Sequence, residues 1–150
     1  RKKSNTSRAC STPNGKSKVM NFELQNIEDY TKDLFWMLKT TTQLEKEFCI
    51  ENWLLLKPIN AQTAFEDIVV QVHKKLANLI KLKGDSFVKH LLYTIDISQA
   101  QVAKALVLEV DIEFSRLLAK LIVRRCLQKV LIRNYYNSPE KLALGNSLEE

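Results

Sequence analysis

Apolar residues recur at helical spacing along most of the chain. Leu24, Ile27, Leu34 and Leu38, with Tyr30, Phe35 and Trp36 alongside, predict a first helix over about 22–38. Glu28, Asp29 and Asp33 form its polar side. Thr40, Thr41 and Thr42 then read as an interruption, because three adjacent β-branched residues weaken a helix. Residues 43–57 carry two signals. Leu44 and Phe48 suit a helix, whereas Phe48, Ile50, Asn52, Leu54 and Leu56 alternate as a strand would. Pro58 ends the segment, since it pushes Lys57 out of the α region. A helix is the expectation, because a lone strand has no partner in this chain.

The second half is more regular. Thr63 and Glu66 have the spacing of a capping box. Phe65, Ile68, Val69, Val72, Leu76, Leu79 and Ile80 then share one helical face as far as Lys83, where Gly84 supplies the stop. Asp85 or Ser86 caps a short helix with Phe87, Val88, Leu91 and Leu92 facing inward. Ser98 and Gln101 form a second capping box, opening a helix through Val102 and Leu106 towards Val110. The last helix runs from about Ile112 to Tyr136, acidic at its start and basic at its end, an order that complements the helix dipole. The pattern predicts an all-α bundle of about five helices over 20–137 as a single domain.

The last helix changes its apolar side. Phe114, Leu117, Leu118, Leu121 and Ile122 lie opposite Arg116, Lys120 and Arg124. From Arg125 onward, Cys126, Leu127, Val130 and Leu131 fall where the first half was charged. One straight helix against one core does not need this. The second stripe needs a separate cover, either the N-terminal helix wrapped around from the far side or a second copy of the chain. In the second case Cys126, Leu127, Val130, Leu131 and Tyr135 form a self-association surface.

Charge adds one feature. Of 150 residues, 23 are basic and 17 acidic, a net of +6. Residues 1–19 hold six basic residues and no acid, so the rest is balanced at 17 of each. This segment, rich in Ser, Thr and Asn, reads as a disordered basic tail. It suits an arm for nucleic acid or an acidic surface, a targeting segment, or an extension outside the native domain that starts at Met20. Residues 138–150 read as a loosely ordered tail. The basic end of the last helix offers Arg124, Arg125, Lys129 and Arg133 as phosphate contacts, and with the tail these define a nucleic-acid adaptor as the alternative function.

Chemistry is sparse. Three Gly and three Pro leave few routes to a phosphate-cradling loop, and no apolar run approaches 18 residues. Cys10, Cys49 and Cys126 show no pair spacing and read as free thiols of a reducing compartment, two of them in or near the core. His73 and His90 read as boundary residues, and Glu109, Asp111 and Glu113 as a helix start rather than a cation site. No catalytic, cofactor or metal site is expected, and no membrane span.

The stretches Leu91–Ser98 and Leu118–Lys129, with Tyr30-Thr31-Lys32-Asp33-Leu34, look like those of a family of short uncharacterised all-helical bacterial proteins. The resemblance covers about 22–38 and 62–135. It implies a bacterial cytoplasmic protein with residues 1–19 outside the core, and carries over no activity. The expectation is a small non-enzymatic protein acting through protein–protein contact or self-association.

Overall fold

The structure, a computed structural model, describes residues 27–137. Six helices and no strand occur among them: α1 (Ile27–Tyr30), α2 (Leu34–Phe48), α3 (Ala64–Lys83), α4 (Asp85–Ile95), α5 (Gln99–Leu108) and α6 (Phe114–Tyr136). The all-α bundle stands. Residues 1–19 and 138–150, read above as tails, lie outside the described residues, as do 20–26.

Two helix boundaries differ from the sequence pattern. The expected helix over 22–38 is broken at Thr31–Asp33. Asp33 takes an extended backbone and accepts a hydrogen bond from Phe35 N at 3.0 Å, so it caps α2 instead of lining a polar face. The three threonines do not interrupt. Thr40 Oγ1 donates to Trp36 O at 2.8 Å and Thr41 Oγ1 to Leu38 O at 2.6 Å, which satisfies both hydroxyls inside the helix and lets both residues be buried. α2 therefore runs on to Phe48 and ends at Cys49, whose φ of 52° is left-handed.

Residues 50–60 are not helical. They form a strap whose backbone is held by side chains. Leu55 N donates to Glu45 Oε2 at 2.7 Å, and the Gln71 amide both accepts from Leu56 N at 2.7 Å and donates to Leu56 O at 3.1 Å. Gln71 thus supplies the bonds a neighbouring strand would make. The helix expected over 43–57 therefore stops at Phe48, because the backbone beyond is held by the Glu45 and Gln71 side chains; Leu55 is buried, while Leu54, Leu56 and Ile59 face water.

The later elements follow their local signals more closely. Gly84 sits at φ +78° between α3 and α4, a conformation that excludes L side chains although a Cβ there would meet nothing within 4 Å. The Ser98–Gln101 capping box is present in full. The Thr63–Glu66 box is not: Thr63 Oγ1 donates to Asp67 Oδ2 at 2.9 Å, and Glu66 is drawn away to Arg116 at 2.7 Å.

α6 is the hub. Its most extensive contacts are with α3 and α2. Near its start, Arg116 and Ser115 meet Glu66 and His73 of α3; near its end, Lys129 and Arg133 meet Glu47 and Gln43 of α2. Glu47 pairs with Lys129 and Gln43 with Arg133, so α2 and α6 run antiparallel. This arrangement explains the apolar face that changes sides. The second stripe is covered by α2 of the same chain. Cys126 and Leu127 are fully buried and Val130 and Leu131 nearly so. These four residues are therefore core, not the self-association surface expected above. Tyr135 is half-buried, with its ring 5.3 Å from that of Tyr136.

The six cations of α6 are tied to five surrounding elements. Arg116 pairs with Glu66 of α3 and Lys120 with Glu109 after α5 at 3.0 Å. Arg124 pairs with Glu28 of α1, and Arg125 with Asp96 after α4 at 2.8 Å. Lys129 pairs with Glu47 of α2 at 2.7 Å, and Arg133 Nη2 donates to Gln43 Oε1 at 3.0 Å.

Two predictions follow from this packing. Leu127→Ala lowers unfolding free energy by about 2–5 kcal/mol in a denaturant titration, and Leu127→Glu yields an unfolded chain, not a folded monomer freed from a dimer. Glu47 and Lys129 are 13% and 21% exposed, against 63% and 40% for Glu28 and Arg124. Glu47→Ala therefore costs about 2 kcal/mol or more, whereas Glu28→Ala costs less than about 1 kcal/mol.

Candidate functional site

Two surfaces stand out. The first is a cationic groove between α2 and α6. One part, of about 390 Å3, is lined by Lys39, Thr42, Gln43, Lys46, Arg133, Asn134 and Asn137, with Val130 at its floor. It continues past Gln43, Lys46 and Arg133 into a second part of about 550 Å3, lined also by Glu47, Cys49, Arg125, Lys129 and Ile132. Five cations thus face one lining carboxylate, Glu47.

Their charges are not equally compensated. Lys129 and Arg125 are paired with Glu47 and Asp96. Arg133 is bonded to the neutral amide of Gln43, which leaves its charge uncancelled. Lys39 lies over the Phe35 ring at 5.1 Å to the centroid, and Lys46 forms no ion pair among the described residues. The groove keeps a net positive field. Three of the four residues expected to contact phosphate, Arg125, Lys129 and Arg133, are brought together here. Arg124 is not. It lines a groove between α5 and α6 and is held by Glu28. The sequence reading missed Lys39 and Lys46. Their i, i+7 spacing places them on one face of α2, but that signal required a helix continuing through the threonines.

The second surface belongs to α5. A helix of a folded domain normally buries one apolar stripe. α5 carries Val102, Leu106, Val107 and Leu108, yet none of its residues is buried. Val107 and Leu108 are 77% and 72% exposed, and Val110, just beyond the helix, 80%. Beneath α5 lies an apolar groove of about 460 Å3, lined by Ile80 of α3, Val88 and Leu92 of α4, Val102 and Leu106 of α5, and Phe114 of α6. Asp85, Lys89 and Gln99 provide its polar lining. Size and lining suit a docking site for apolar side chains.

One constellation resembles a catalytic one but is not arranged for catalysis. Ser115 Oγ lies 2.9 Å from His73 Nε2 and donates to Glu113 Oε1 at 3.0 Å; Glu113 Oε2 is 3.6 Å from the same Nε2. The direction of the His73–Ser115 hydrogen bond depends on the imidazole tautomer. A triad places the acid on Nδ1, behind the imidazole. Here the acid sits in front, and Ser115 is buried. The trio fastens α6 to α3. Of the acidic group after α5, Glu109 binds Lys120 and Glu113 binds Ser115. Among the described residues no group of three His, Cys, Asp or Glu is placed to hold a metal ion, and no helix is long and apolar enough to cross a membrane.

The cysteines separate by environment. Cys126 is buried, and desolvation, with a smaller contribution from Glu47, pushes its thiol up to about 12. Cys49 is exposed, contrary to the expectation of a second core thiol, because it sits at the left-handed end of α2 with Sγ 2.9 Å from Lys46 O.

In a Cys10→Ser chain at pH 8, one thiol, Cys49, reacts rapidly with a thiol reagent, and Cys126 reacts only on unfolding. The raised folded-state value also sets a sign. Cys126 contributes stability that is complete below its unfolded value near 9 and is lost as pH rises towards about 12. Stability measured from pH 8 to 11 therefore falls more steeply for the parent chain than for Cys126→Ala.

No protein-family model, curated protein or solved structure matches this chain.

Proposed function

We propose that the chain is a small non-enzymatic helical protein that acts by docking to protein, with α5 and the groove beneath it as the docking surface. The observation that carries this reading is a helix of ten residues, rich in large apolar side chains, with none of them buried. Exposed apolar surface contributes about 25 cal/mol per Å2 when covered, and contiguous patches of this kind mark interaction sites. In the Ser115–His73–Glu113 trio the acid approaches the same imidazole nitrogen as the serine, which supports a non-enzymatic role. Exposed, unpaired Cys49 supports a reducing, cytoplasmic setting.

Self-association is the first case to test, because a second copy is the partner always at hand. At high micromolar concentration, light scattering after size exclusion is expected to show dimers for the parent chain and monomers for Val107→Glu/Leu108→Glu. Both side chains point to water, so the variant keeps its helical circular dichroism and its melting temperature. A parent chain that stays monomeric, or a variant that still dimerises, contradicts self-association through α5.

A further inference from the structure

The α2/α6 groove is independent of the α5 surface and takes a different ligand. We propose that it is a receptor for an acidic peptide segment, and that its resident occupant is the chain's own segment 138–150. Five lining cations against one lining carboxylate define an anion site. Lys39, Lys46 and Arg133 remain uncompensated by any carboxylate among the described residues. Their arrangement selects the class of anion. Packed helices lie about 8–10 Å apart, so the cleft between them admits a single extended chain and not a nucleic-acid duplex. Thr42, Asn134 and Asn137 add neutral hydrogen-bonding groups along the same cleft.

The occupant is indicated by position and charge. Asn137 lines the groove and is the residue from which the segment departs. Pro139, two residues on, has no N–H with which to continue the α6 ladder. The segment contains Glu140, Glu149 and Glu150 against one cation, Lys141, and brings Leu142, Leu144 and Leu148 to a groove that includes Val130 and Ile132. Reach is ample. Thirteen residues span up to about 43 Å when extended, whereas Lys39 and Lys46 are separated by about 10 Å along α2. The carboxylates of the segment complement the charges of Lys39, Lys46 and Arg133. The contact is electrostatic, so it weakens with salt, and it shields the groove from other polyanions.

Cys49 provides a native probe, since it is exposed and lines the same groove. A nitroxide is attached there in the full chain carrying Cys10→Ser, and amide signals of 138–150 are recorded by NMR. The expected result is strong paramagnetic broadening of these signals at low salt, lost at about 1 M salt, where screening acts within about 3 Å, and lost in Lys39→Glu/Lys46→Glu. Signals that stay sharp at low salt overturn the proposal, as does broadening that survives both salt and charge reversal. Heparin and a short DNA duplex test the shielding. Glu140→Gln/Glu149→Gln/Glu150→Gln is expected to bind heparin about tenfold more tightly than a control with the same net charge, Asp29→Asn/Glu51→Gln/Asp111→Asn. Equal affinities, or DNA binding by the unmodified chain as tight as heparin binding by the triple variant, overturn it.

Discussion

A helix enclosed by its neighbours cannot also shed its charges to one side. α6 is 23 residues long, buried through ten of them, and carries six cations. The conflict is resolved by rotation. The buried stripe moves around the helix from the α3 side to the α2 side, and the six cations emerge beside five elements that offer them partners. Burial supplies most of the stability and the ion pairs set the directions. An exposed pair contributes under about 1 kcal/mol, whereas a single buried leucine contributes several times as much. The Glu47–Lys129 pair, bridged by Gln43 to Arg133, is the exception, because it lies in the α2/α6 interface where an unpaired charge is costly.

This arrangement also distributes stability unevenly. α2 and α3 share the central core with α6, and fully buried Met37, Leu44, Ile68 and Leu76 pack there. α5 reaches it only through half-buried Val102. Its capping box and its contact with α6 keep it helical, but no side chain is fully buried. α5 thus combines few buried contacts with exposed apolar side chains, a combination suited to docking. The cationic groove lies instead along the α2/α6 interface, where Glu47 and Gln43 hold Lys129 and Arg133.

Local signals were legible in the sequence and long-range ones were not. Gly84, the Ser98–Gln101 box and the periodicity of α3 announce themselves within a few residues, and the structure follows them. The rotation of the α6 stripe was also visible, together with the alternative that the N-terminal helix covers it. What failed did so for identifiable reasons. The threonines at 40–42 were judged by propensity, but back-bonding hydroxyls and burial override it. Asp33 read as a surface residue because a cap and a polar face look alike at that spacing. Residues 50–57 were expected to be helical because a lone strand has no partner, but side chains of other helices hold an extended strap there. These are Glu45 and Gln71, which hold the strap from ten and fifteen residues away. The site suffered most. Lys39 and Lys46 join Arg125, Lys129 and Arg133 only through antiparallel packing of helices about 85 residues apart, and no local pattern encodes that.

Native-state amide hydrogen exchange of the full chain tests the central claim directly, since it reads the opening free energy of each helix separately. The account predicts that interior amides of α6, α2 and α3 exchange only through global unfolding, at one common free energy. It predicts that α5 amides exchange through a local opening at clearly lower free energy. Protection of α5 equal to that of α6, or α6 amides opening before those of α2 and α3, would contradict a bundle organised around α6 with α5 uncommitted.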